Sequence, residues 1–203
     1  MKSAAVLLLV VSGALAQTAS RMEITLERRD GNAWKSVDPG LVMAADERVR
    51  FRFKSNFKGY LYVINHSTSG TNTLLFPRQD TGSVNRIEAG KEYVVPATQG
   101  AFRVAGPAGY DVISWMVSPV ALNAPTLPER AEPTAPVEMK PRCDDSIFKA
   151  RGDCVDTSAG PKSQADDPSS RELVFMRQKN SSVIASPTPL QGPVVYEFRL
   201  AHK

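Results

Sequence analysis

A chain of 203 residues, 42% of them hydrophobic, with a formal net charge of +4, suits one ordinary globular domain with a segment to spare. The charge excess is slight, and Lys and Arg are spread along the chain beside nearby acids. That excludes the concentrated basic footprint of a nucleic-acid binder.

The chain opens with Lys2, an apolar run from Ala4 to Val11, and a small-x-small site at Ala14-Leu15-Ala16. Charge, apolar stretch and cleavage site in that order predict a secretory leader over residues 1–16, with Gln17 the mature N-terminus. The apolar run falls well short of the ~20 residues of a spanning helix, and no later segment is long and apolar enough. The expectation is an exported protein, periplasmic or extracellular, with no membrane span.

Next, Met22, Ile24 and Leu26 alternate with Glu23, Thr25 and Glu27, the period of a half-buried strand. Asp30-Gly31 readily takes the positive φ of a tight turn, so Ala33 to Val37 returns antiparallel. From Glu47 to Phe53, Val49, Phe51 and Phe53 alternate with Arg48, Arg50 and Arg52, one wall dry and one charged. Gly59 to Asn65 is aromatic and β-branched throughout, which predicts a strand covered on both sides. The loop between these two, Lys54 to Lys58, is long enough for a hairpin.

Short strands follow at Thr73–Pro77, Asn85–Ile87, Lys91–Val95 and Ala101–Val104, with turn signals between them. In Tyr110–Ser118, Ile113, Trp115 and Val117 share one face. From Pro119 to Ser170 the chain is dense in Pro, Asp, Glu, Ser and Lys, and reads as a long insertion or linker. Strands resume at Glu172–Met176 and end at Val194–Leu200, where Val194, Tyr196, Phe198 and Leu200 share a face. This last ribbon is expected to fold back on the layer of Phe51 and Trp115.

The prediction is an all-β, antiparallel β-sandwich of seven to nine strands, immunoglobulin-like in size. Its organisation is a leader (1–16), a main block (17–118), the Pro-rich insertion (119–170) and closing strands (171–203). Cys143 and Cys154, the only cysteines, are expected to form a disulfide, an exported protein meeting an oxidising compartment. A metal pair or redox dithiol has less support, with both histidines distant and no Cys-x-x-Cys.

Within the central block, Val49-Arg50-Phe51, Gly59-Tyr60-Leu61-Tyr62-Val63-Ile64-Asn65, Leu74-Leu75-Phe76-Pro77, Asn85-Arg86-Ile87, Ala89-Gly90, Val95-Pro96, Phe102, Gly106-Pro107-Ala108-Gly109 and Ser118 follow in an order and spacing that resemble the bacterial family called domain of unknown function 4384. The resemblance implies an extracytoplasmic β-domain. Members often stand beside signalling, protease-like or envelope modules, and no catalytic set is established.

The residues give no sign of an enzyme. No Gly-x-Ser-x-Gly occurs, His66 falls in a polar loop, His202 lies by the C-terminus, and no opposed carboxylates stand out. The expectation is a non-catalytic protein-interaction or envelope-associated module, with a binder of an anionic glycan or envelope polymer and an unrecognised hydrolase as the alternatives; no catalytic residue, cofactor or metal is expected. Arg151-Gly152-Asp153, and the glycosylation patterns at Asn65 and Asn180, are short enough to arise by chance. The surface feature that remains is Arg48, Arg50 and Arg52. Alternate residues repeat every ~6.6 Å along a strand, so three guanidinium groups line one face. That face is either solvated and neutralised by acids on a neighbouring strand, or grips an anionic partner such as an acidic protein surface or envelope polymer.

Overall fold

A computed structural model describes residues 19–78, 84–97, 100–121, 141–143, 153–164 and 167–203. The expected leader, most of the Pro-rich stretch, Arg151 and Gly152 lie outside these.

The described residues form two antiparallel sheets, as the alternating patterns predict. The seven-stranded sheet holds β1 (Ser20–Asp30), β2 (Ala33–Ser36), β3 (Arg48–Ser55), β7 (Glu92–Val95), β8 (Phe102–Arg103), β11 (Val174–Arg177) and β12 (Ser182–Ser186). Its order is β11-β12-β1-β3-β7, with β2 on β1 and β8 on β3. The six-stranded sheet holds β4 (Gly59–His66), β5 (Asn72–Phe76), β6 (Arg86–Ile87), β9 (Gly109–Ser118), β10 (Gly160–Ser163) and β13 (Val194–His202). Its order is β10-β13-β9-β4-β5, with β6 on β4. Thirteen strands exceed the expected seven to nine because short strands share edges: β7 and β8 both lie along β3.

The core is aromatic. Phe51 meets Trp115 and Phe198 edge to face, with ring centroids 5.6 and 5.0 Å apart, and Phe53 stacks on Trp115 at 5.6 Å. Such contacts add to the large apolar area each ring removes from water. The last strand does return to this layer: β13 pairs with β9 along its length, setting Tyr196 opposite Trp115. The β1–β2 hairpin also forms, turning at Gly31 with φ +58°.

β3 and β4 are not a hairpin. They lie in opposite sheets, and the chain between them crosses the sandwich. Asn56 is held to β1 by the Asn56 N–H to Arg21 O bond (3.0 Å) and the Arg21 N–H to Asn56 Oδ1 bond (2.7 Å). Phe57 packs against the core, so the loop cannot turn back in plane. Nor is β4 covered on both sides: Leu61 and Val63 are buried, whereas Tyr60, Tyr62, Ile64 and His66 are half-buried on the outer face. Its composition records β-propensity, and the burial alternates as in any half-covered strand.

Part of the stretch read as an insertion belongs to the sandwich. Gly160–Ser163 is an edge strand against β13, an allowed place for Pro161. Pro168–Ser170 is one 3-10 turn, capped by Asp167, and Ser169 Oγ accepts from Val195 N–H at 3.1 Å. Cys143 and Cys154 are bridged, as expected. The segment after the bridge is docked on the chain before β3: Val42 N–H donates to Cys154 O and Asp156 N–H to Gly40 O, both at 2.8 Å.

Candidate anionic-partner surface

Arg48, Arg50 and Arg52 stand on the outer face of the seven-stranded sheet because Val49, Phe51 and Phe53 take the core face of β3. Their surroundings differ. Glu27 lies opposite Arg50 on β1 and is 4% exposed. Its carboxylate accepts from Arg50 Nε at 2.6 Å and lies 3.0 Å from Arg52 Nε, an ion pair not aligned as a hydrogen bond. Arg52 Nη1 also reaches Glu92 on β7 at 3.2 Å. The Arg50 guanidinium lies 4.3 Å from the centre of the Trp34 ring, a cation–π contact from the β2 hairpin arm. Arg50 and Arg52 are therefore compensated in place.

Arg48 is exposed and has no ion pair among the described residues. Opposite it on β8 stands another cation, Arg103, and like charges facing each other across a strand pair repel. Arg103 is drawn off by Asp46 at 3.1 Å, an exposed pair that water screens. Asp46 takes the left-handed region, φ +68°, which Asp tolerates in a tight turn, just before β3. Arg48, Ala101, Phe102 and Arg103 line a shallow depression, while the Phe102 ring itself, opposite Val49, turns to the core and stacks on Phe51 at 6.0 Å. Two guanidinium forks facing each other across a strand pair suit a carboxylate or phosphate oxygen pair.

A second polar cluster escaped the sequence reading. His202, 1% exposed, continues the inward parity of Tyr196, Phe198 and Leu200 and ends opposite Gly109. Its Nε2 lies 3.3 Å from both Asp111 Oδ1 and Thr68 Oγ1, and Asp111 Oδ1 also accepts from Thr68 N–H at 2.9 Å. Extending the alternation of the last strand by one step would have found it. His66 instead ends β4 and bonds Asn72 at 2.8 Å.

Beside the bridge, the Tyr110 hydroxyl donates to Asp156 Oδ2, which also accepts from Arg142 N–H at 2.9 Å. Ser158 N–H donates to Asp156 Oδ1 at 2.7 Å. Burial, then the Asp156 carboxylate, pushes the Tyr110 hydroxyl up to about 12. Burial opposes ionisation of Asp156, yet its hydrogen bonds from Tyr110, Arg142 and Ser158 prevail and hold it below the usual carboxylate value. Asp153 is exposed, and of the two glycosylation patterns Asn65 is 7% exposed and Asn180 exposed. Among the described residues no group of His, Cys, Asp and Glu is placed to hold a metal ion, and no helix is long and apolar enough to cross a membrane.

The model of the family described as domain of unknown function (DUF4384) matches residues 42–121, in line with the resemblance carried by the central motifs. No curated protein and no solved structure matches the chain. The matched segment spans β3 to β9 and includes Arg48, Arg50, Arg52 and Arg103. β1, which supplies Glu27, and β13, which closes the core, lie outside it.

Proposed function

Proceeding from a DUF4384 segment that carries these four arginines, we propose that the protein is an exported, non-catalytic, envelope-associated binding module for an acidic partner. The contact is the Arg48–Arg103 end of the seven-stranded sheet. One observation carries this reading: Arg48 faces Arg103 at a shallow depression on the outer face, whereas the arginines further along β3 are neutralised. A partner's oxyanion would relieve the repulsion that the fold leaves there.

Export is supported by the leader pattern of residues 1–16 and by a bridged cysteine pair, which persists in oxidising compartments. The non-catalytic reading is supported by the state of the Thr68–Asp111–His202 cluster. Asp111 and His202 are buried and Thr68 half-buried, and one ring nitrogen faces both partners, whereas a relay needs one nitrogen for the acid and the other for the nucleophile.

The test is retention of the purified protein on immobilised polygalacturonate and polyphosphate over a salt gradient. Binding should weaken steeply with ionic strength and be lost in the Arg48→Ala, Arg103→Ala double variant. A double variant that elutes with the parent overturns the reading. Retention on one polymer alone tells carboxylate from phosphate.

A further inference from the structure

β11 is the outermost strand of the seven-stranded sheet, and among the described residues nothing pairs with its free edge. An open edge presents a row of backbone donors and acceptors ready for another strand. Natural edges are guarded by shortness, charge, Pro or a bulge; β11 is short, four residues, but Val174-Phe175-Met176-Arg177 has no Lys, Pro or bulge, and Arg177 is its one charge. Its outward side chains, Val174 and Met176, are 54% and 45% exposed, among the few large apolar groups left in water. Phe175, between them, turns inward to meet Tyr196 edge to face at 6.1 Å. Arg177, the charged residue at the strand's end, is engaged with Asp38.

We propose that β11 pairs antiparallel with β11 of a second copy of this chain, extending the seven-stranded sheet across a two-fold axis. Symmetry restricts the register. A two-fold axis normal to the sheet leaves each side chain on its own face, so only registers centred on a residue are allowed. Centring on Val174 sets Met176 against Glu172, and centring on Met176 sets Val174 against Gln178. Centring on Phe175 sets Val174 against Met176 of the second copy, and Met176 against its Val174. Both exposed apolar residues of each copy are then covered by apolar partners, and the strand is complementary to itself. The contact is small, so association is weak and concentration-dependent.

Sedimentation equilibrium of the bridged protein should show reversible dimers as concentration rises. Val174→Lys and Met176→Lys place the missing guard at exposed positions and should weaken association at least about tenfold, with the thermal midpoint unchanged. Register is read by crosslinking. Under mild oxidation, a mixture of Val174→Cys and Met176→Cys proteins should give a mixed disulfide dimer, because those positions face each other. Either variant alone should crosslink far less. A protein that stays monomeric throughout overturns the proposal, as do dimers indifferent to the lysines or crosslinking that is no faster in the mixture. The polyanion variants at Arg48 and Arg103 lie elsewhere on the sheet and should not alter dimerisation.

Discussion

Glu27 on β1 and Arg50 on β3 face each other across the sheet, joined by a 2.6 Å bond from the Arg50 Nε to a carboxylate almost closed to solvent. Arg52 leans on the same carboxylate. Glu27→Gln therefore leaves two guanidinium groups without their shared anion. The arginines are a fifth to a third exposed, so solvent absorbs part of the loss, and the expected cost is about 1–3 kcal/mol in urea denaturation. The same variant frees positive charge near Arg48 and should bind polygalacturonate more tightly than the parent. Weaker binding with stability intact would argue against the ion-pair account.

Gly59 begins β4 where a Cβ would stand 2.4 Å from the Ser118 carbonyl oxygen, a backbone atom fixed in β9. Gly59→Ala should cost about 1–3 kcal/mol, since the strand must move to admit a methyl group. Gly192 has open space and serves as the control: Gly192→Ala should stay within about 0.5 kcal/mol. Equal effects at both positions would show that β4 has room that the structure does not give it.

Asp111, 2% exposed, satisfies the Thr68 N–H and one nitrogen of the equally buried His202. Asp111→Ala strands both, and a lost buried acceptor of this kind costs about 2–3 kcal/mol. Urea denaturation should detect it. A neutral outcome would mean that water replaces the carboxylate.

Tyr110 and Asp156 give opposite pH limbs. The folded pKa of Asp156 lies below its unfolded value of about 4, so its stabilisation is complete above that pH and is lost as pH falls through the folded value. The folded pKa of Tyr110 is about 12 against about 10 unfolded, so its stabilisation holds up to about pH 10 and is lost as pH climbs towards 12. Thermal midpoints against pH should show a shallower acid limb in Asp156→Asn and a shallower alkaline limb in Tyr110→Phe. The alkaline limb persists in part, because burial also pushes the Tyr196 hydroxyl well up. Unchanged limbs in both variants would remove this pair from the pH response.

A buried face of β1, β3, β9 and β13 was legible from residues 22–26, 48–53, 113–117 and 194–200, since period-2 patterning is a direct record of burial, whereas the half-covered state of β4 was not. The partner of each strand was not. β3 and β4 are neighbours in sequence, yet Asn56 and Phe57 send them to opposite sheets through contacts with β1 and the core that no local pattern encodes. β10 was hidden because Gly160-Pro161-Lys162-Ser163 has neither alternation nor β-propensity, and pairing with Tyr196–Arg199 supplies its order. At the candidate surface the arginine stripe was visible, but Arg103 and the buried Glu27 come from strands distant in the chain.

β13 has a further implication. It lies between β9 and β10, and its Tyr196, Phe198 and Leu200 complete the interior. During synthesis Phe51, Phe53 and Trp115 leave the ribosome well before the strand that covers them. A nascent chain of this kind keeps its apolar strands uncovered until β13 emerges, a window in which a holdase would guard against aggregation.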